Sequence, residues 1–331
     1  FFCFLMEQVR ELLGFTIRSP ADYEKLLNVV YTRAVDNDKN VLSLFERERY
    51  QLVQWFSQLR MLIREDLSSQ MTRALYAVCS ALGMDALGAL VEEPCAVSLW
   101  LLDPFMTKEL PKFDSEAELA TSLAFITAIC QSVILPDKFR ERLDNGAIRG
   151  IGRIALYCIE ADFSDALDQS IYALSAINLH YPESYNKNPI LQLLIEEENI
   201  QELGISLISI LNRGESNYVE PLLKLFHDIF SNSKTSNYFY TNDLKVVVDV
   251  LILESTNLPE KDELRTKYLE TLYQLLMNCT DYFSILHKQD EILSLTKALA
   301  SDENIPSSVH SICQKIINNC GQLLTLKMED L

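Results

Sequence analysis

Apolar residues recur at spacings of three and four through nearly every window of the chain. This is the mark of amphipathic α-helices rather than the alternation of half-buried strands. Four stripes carry the pattern clearly. Leu167, Ile171, Leu174, Ile177 and Tyr181 form one, with Ser164 placed to act as its N-cap. Leu244, Val247, Val248 and Leu251 form a second behind Thr241 and Asn242. Leu264, Tyr268, Leu272 and Leu275 follow Pro259, a residue type suited to the first turn of a helix. Val309, Ile312, Cys313, Ile316, Ile317 and Cys320 lie between Pro306 and Gly321, start and stop signals of the expected kind.

Breaks at Leu135-Pro136, Pro182 to Pro189, Asn212 to Ser216, Ser231 to Tyr238, Asn257 to Pro259 and elsewhere predict about sixteen helices of roughly 10 to 20 residues joined by short connectors. In the second half they recur near every ~40 residues per two or three helices, the size of an armadillo or HEAT unit. Such a unit cannot bury its apolar face alone and stacks on its neighbours. The pattern predicts one all-α, armadillo/HEAT-like helical repeat solenoid over residues 1–331, with 1–135 as a less regular N-terminal cap and 136–331 as the repeats.

Composition supports long helices and narrows the functions. Hydrophobic residues make up 48%, and only 9 Gly and 10 Pro punctuate 331 residues, whereas a sandwich or barrel needs turn residues roughly every 8 to 12 positions. A net charge of -18 opposes a phosphate backbone or an anionic bilayer, so neither nucleic acid nor membrane insertion is expected. The local basic stretch Lys138, Arg140, Arg142, Arg149 and Arg153 reads as a solvated helix end, with docking to an acidic partner as its alternative. Eight cysteines without a CxxC pair read as small buried hydrophobes in a reducing compartment. Phe1 to Leu5 lacks a basic leader, and no apolar run reaches the length of a membrane span. A cytoplasmic protein is expected, its N-terminus continuing beyond Phe1.

No constellation predicts chemistry. His180, His227, His287 and His310 lack metal-ligand spacing and read as helix-surface or capping residues. Gly146, Gly150 and Gly152 are out of order for a phosphate loop. Gly146 reads as the stop of a helix from Asp137 to Asn145, and the other two as sites of close packing. Glu196 to Glu198 reads as a solvated face, and Trp55 and Trp100 as core. Catalytic residues, cofactor, metal and small-molecule substrate are all expected to be absent. Two connectors stand out by composition: Asn178, His180, Tyr181, Tyr185, Asn186, Asn188 and Pro189, then Asn237, Tyr238, Phe239, Tyr240, Thr241, Asn242 and Asp243. Such residues cap helices and brace the next repeat, or they form a recognition surface. Composition leaves both readings open.

Within and between these connectors run YALSAINLHYPESYNKNPILQLL from Tyr172 to Leu194, ISILNRGES from Ile208 to Ser216, and YFYTNDLKVVVDVLILESTNLPEKDELRTKYLETLYQLL from Tyr238 to Leu276. As an ordered set they resemble the leucine-rich armadillo domain of the WISH/DIP/SPIN family, over about Asp162 to Tyr282. Nothing in the chain reads as the SH3 domain or proline-rich region of metazoan-type members, so the likeness is to the short fungal type. The resemblance implies an activator of the Arp2/3 complex that nucleates linear, unbranched actin filaments without a preformed filament, at cortical, endocytic actin patches. It further implies that a helix of one subunit of the complex occupies the solenoid groove, and that actin filaments are engaged indirectly. Leu326 to Leu331 contain no Trp, so delivery of actin monomers by an acidic tail is not expected. Carried over residue by residue, the resemblance places partner binding around Asn242, Asp243, Lys245, Arg265 and Lys267, with Asn188 and Arg213 in structural roles. The competing readings are a passive armadillo adaptor and an enzyme with an unrecognised site between helices.

Overall fold

The computed structural model describes residues 21–40, 42–43, 68–82, 101–106 and 115–325; Trp55 and Trp100 lie outside them. The described residues hold fourteen α-helices and no strand, the all-α architecture expected of a helical repeat protein. They are α1 (Ala21–Val35), α2 (Ser68–Leu82), α3 (Glu116–Ser132), α4 (Asp137–Arg142), α5 (Ile148–Ala161), α6 (Ser164–Asn178) and α7 (Pro189–Glu196), then α8 (Leu203–Arg213), α9 (Ser216–Ser231), α10 (Thr241–Asn257), α11 (Leu264–Asn278), α12 (Thr280–Phe283), α13 (Gln289–Ser301) and α14 (Ser307–Cys320). The chain divides into two compact units, Phe1–Ala173 and Leu174–Leu331.

In the first unit α1 packs on α2, and α2 on α3. The start of α6 is capped from another helix. Glu116 Oε1 accepts from Asp165 N at 2.9 Å and Ala166 N at 3.4 Å, and its charge complements the positive end of the helix. Ser164 is therefore not the side-chain cap. The Phe163 carbonyl holds the N-cap position and accepts from Leu167 N at 3.0 Å. Gly146 has a positive φ of 149° and, as expected, interrupts the helical run that starts at Asp137, because two helices meet across it. It forms a kink in a widened turn from Leu143 to Ala147 that leads directly into α5. Gly150 meets the expectation of close packing, since a Cβ there would lie 1.8 Å from the Phe105 carbonyl oxygen. In the basic stretch, Arg142 pairs with Asp103 and Arg140 donates to the Leu135 carbonyl at 3.2 Å.

The second unit is built from helix pairs. α8 packs on α9, α10 on α11, and α13 on α14. The first members, α8, α10 and α13, adjoin in sequence to make one layer, and the second members, α9, α11 and α14, make the other. The second-layer helices begin at residues 216, 264 and 307, a repeat of about 45 residues that fits a HEAT-like unit. Leu222, Phe226, Ile229, Leu244, Val248, Leu251, Leu272, Leu275, Ile312 and Ile316 are buried between the layers or between pairs. Pro259 lies outside the first turn of α11. It opens a turn closed by Asp262 N donating to its carbonyl at 3.0 Å, and Asp262 Oδ1 accepts from Leu264 N at 2.9 Å to start the helix.

Six cysteines, Cys79, Cys130, Cys158, Cys279, Cys313 and Cys320, are free and buried. Burial pushes the thiols of Cys279, Cys313 and Cys320 up to about 11 and those of Cys79 and Cys158 up to about 12. Unfolded thiols titrate near 9.0, so the folded state holds its protons more tightly. This contribution is complete below about pH 9 and is lost as pH rises towards 11 to 12. The urea midpoint followed by circular dichroism should hold from pH 7 to about 9 and fall above it. Native protein at pH 8 should resist iodoacetamide at these five positions.

A candidate partner-binding surface around alpha 9 to alpha 11

Asn178, Tyr181, Asn188, Tyr238 and Phe239 of the two connectors are buried and brace the repeats. Asn188 N-caps α7, its Oδ1 accepting from Ile190 N at 3.0 Å and Leu191 N at 3.3 Å. Its Nδ2 donates to Asn178 Oδ1 at 2.8 Å and to the Pro182 carbonyl at 3.1 Å. Asn178 Nδ2 in turn donates to Asp228 Oδ2 at 2.8 Å, and Lys224 Nζ donates to the same oxygen at 2.6 Å and to the Tyr181 carbonyl at 3.2 Å. Asn178, Asn188 and Asp228 are buried to within 1%. This chain of bonds joins the end of α6, the connector to α7, and α9.

The second connector behaves in the same way over its first half. Phe239 stacks on Phe226 with ring centroids 5.1 Å apart and lies 5.6 Å from Phe230. The Tyr238 hydroxyl donates to the Ile200 carbonyl at 2.6 Å, and Gln201 Nε2 donates to the Tyr238 carbonyl at 2.8 Å. Asn237 reaches forward to α12, donating to Thr280 Oγ1 at 2.7 Å. Tyr240 and Asn242, by contrast, face solvent.

The five residues expected to bind a partner do not form one patch. Asn242 is exposed on the first turn of α10, with Asp243 and Lys245 half-buried beside it. Arg265 is 3% exposed and faces inward. Its guanidinium donates to the carbonyls of Ser255 at 2.9 Å and Glu260 at 3.1 Å, and to that of Leu258. The expectation that it meets a partner is corrected: three backbone acceptors at the end of α10 use its donors. Lys267 stands partly exposed on α11 and pairs with Glu220 of α9. Lys245 precedes the end of α10 by three turns while Lys267 lies in the first turn of α11. The helices form a hairpin, so the two lysines sit roughly 13 Å apart along it. Arg213 ends α8 and lies 3.7 Å from Glu215.

Lys267 belongs to a cleft of about 340 Å³ across the end of α6, α9 and α11, with Leu179 and Leu223 as apolar lining and Glu183, Lys224 and His227 among the polar groups. Its volume is in the range of ligand pockets, but its lining alternates charge. A second outward feature lies on the other layer. Val246 and Leu253 are 44% and 52% exposed on one stripe of α10 with Asn242 and Asp249, and Ile205 of the adjacent α8 is 64% exposed. Periodicity flags neither, because an exposed apolar residue beside a buried stripe reads as part of that stripe.

Comparison with known proteins gives these helices relatives. Residues 164–292 match the family model described as SPIN90/Ldb17, leucine-rich domain, which overlaps nearly all of the stretch that carries the sequence resemblance. The chain is 37% identical over 100 residues to Protein LDB17 of Eremothecium gossypii, covering 28% of this chain and 22% of that protein. It is 41% identical over 70 residues to Protein LDB17 of Saccharomyces cerevisiae, covering 21% and 14%. To Protein dip1 of Schizosaccharomyces pombe it is 41% identical over 58 residues, covering 17% and 16%. The matched segments thus span less than a quarter of each relative's length.

Two substitutions test these assignments. Arg265→Ala should destabilise the protein by roughly 2–4 kcal/mol in urea denaturation, because it strands buried carbonyls and removes the packing of the side chain. Asn188→Ala should cost about 2–3 kcal/mol by the same measurement, through loss of the α7 cap and of a partner for Asn178.

Proposed function

We propose that the chain activates the Arp2/3 complex and nucleates linear actin filaments without a preformed filament, acting in the cytoplasm at cortical, endocytic actin patches. The observation that carries this reading is the match of residues 164–292 to the SPIN90/Ldb17 leucine-rich domain, the helices that make up most of the regular double layer. It also rests on the physics of activation. A ligand shifts a conformational equilibrium only by binding one state more tightly than the other. A stacked-helix body with braced connectors docks with little loss of conformational freedom, so its binding free energy goes into that preference. Helix-in-groove docking of a subunit of the complex suits such a surface. No helix among the described residues is long and apolar enough to cross a membrane, and the reading needs no enzymatic step, cofactor or nucleic acid.

Purified actin and Arp2/3 complex, without filament seeds or another activator, should polymerise faster when this protein is added. Imaging should show unbranched filaments in the first round. An unchanged lag would support the passive adaptor instead, and branched first-round products would sink the linear mechanism. Lys245→Glu and Lys267→Glu assign the face used. Loss of affinity with Lys267→Glu alone places contact at the α9–α11 cleft, and loss with Lys245→Glu alone places it on the outward stripe of α10. Each variant should stay within about 1 kcal/mol of the parent in stability, since Lys245 is only half-buried and the Lys267 pair with Glu220 lies at the surface. Unchanged affinity in both removes these lysines from the interface.

A further inference from the structure

We propose that Glu183, His227 and Asp228 form a binding site for a divalent transition-metal ion of the zinc class, at the edge of the cleft between the end of α6 and α9. His227 Nδ1 lies 3.5 Å from Asp228 Oδ1 and 3.9 Å from Glu183 Oε1, and the three ligand atoms all fall within 4.8 Å of one another. A tetrahedral ion with bonds of about 2.1 Å needs donors roughly 3.4 Å apart. The His227 and Asp228 atoms already meet that spacing. The Glu183 side chain, 63% exposed, is free to close the third edge.

Proximity of acidic groups would not by itself make a site; the state of Asp228 does. Its side chain is 1% exposed, and Oδ1 is buried with no hydrogen-bond partner, while Oδ2 accepts from both Asn178 and Lys224. A buried carboxylate oxygen left unpaired is costly, and native proteins rarely leave one. This one is directed at the His227 nitrogen. A cation between them supplies the missing interaction, and the bonds from Asn178 and Lys224 to the other oxygen hold the carboxylate in place, as outer partners do in metal sites.

The donor set narrows the ion. One imidazole and two carboxylates suit zinc and its neighbours, whereas calcium takes six to eight oxygens. Binding uses the tautomer with the proton on Nε2, leaving the Nδ1 lone pair for the ion. Ser231 Oγ, 3.3 Å from Nδ1, gives its own proton to the His227 carbonyl at 2.7 Å and does not compete as a donor. Water from the cleft completes the coordination. The bound ion ties the connector that carries Glu183 to α9, which makes one wall of the cleft metal-dependent. Glu183 and His227 are 44 positions apart, which is why helix-local metal spacings do not reveal the site.

The full chain, stripped with a chelator and dialysed, would be titrated with Zn²⁺ in the calorimeter and with Co²⁺ in the spectrophotometer. The expected result is one equivalent of Zn²⁺ and weak cobalt d–d bands without a thiolate charge-transfer band. His227→Gln should weaken binding by more than ~100-fold, beyond the effect of losing an outer partner. Glu183→Gln should weaken it by more than about tenfold and leave the circular dichroism unchanged, because its side chain is exposed. Asp228 is left intact, since it also holds the fold. Equal uptake by the parent and both variants, a sulfur charge-transfer band, or full competition by Mg²⁺ would each overturn the assignment.

Discussion

A helix in a stacked array is covered from more than one side, and α9 shows what that demands. Val219, Leu222, Leu223, Leu225, Phe226, Ile229 and Phe230 are all buried, so its apolar surface is met by α8, α11 and the connector that carries Phe239 together. No single partner helix satisfies such a surface, so each pair in the second unit depends on the next. The aromatic cluster of Phe226, Phe230 and Phe239 fills the space that a connector would otherwise leave open, and close packing there restrains where the following helix begins.

The same helix carries Asp228, a buried carboxylate in an apolar setting. Burial of a charge is tolerated only when it is paired and hydrogen-bonded. Lys224 one turn earlier and Asn178 at the end of α6 meet that demand at Oδ2, and Asn178 is held by Asn188, the cap of α7. A network of this kind is sensitive to the loss of any member, because its partners lose a bond they cannot replace with water. It fixes the connector between α6 and α7, and with it the edge of the cleft formed by Glu183 and His227. The edge of the cleft is therefore held from behind by the buried Asn178, Asn188 and Asp228, with Lys224 alone of the network reaching the cleft itself.

Two outward surfaces follow from the two-layer arrangement. The cleft lies across the second-layer helices α9 and α11 and presents alternating charge around Leu179 and Leu223. The other layer exposes Ile205, Val246 and Leu253, aliphatic groups beside the polar Asn242. The residues singled out by family resemblance are shared between them: Lys267 falls at the cleft, Asn242 and Lys245 on α10, and Arg265 in the interior.

By itself the sequence determined the helical class, the apolar stripes and the approximate spacing of the breaks between helices, because periodicity and the scarcity of turn residues are local properties that survive without knowledge of neighbours. The stripes of α6, α10, α11 and α14 are found where the spacing predicts them. The ordered connector motifs were legible too, as a resemblance. Tertiary structure alone decided what each polar residue does. Ser164 looks like a cap until Glu116 arrives from 48 positions away, and Arg265 looks like a surface cation until the end of α10 folds over it. His227 looks isolated until the chain returns Glu183 to its side. A side chain several bonds long takes its role from whatever the fold brings within hydrogen-bonding reach, and those partners come from far along the chain.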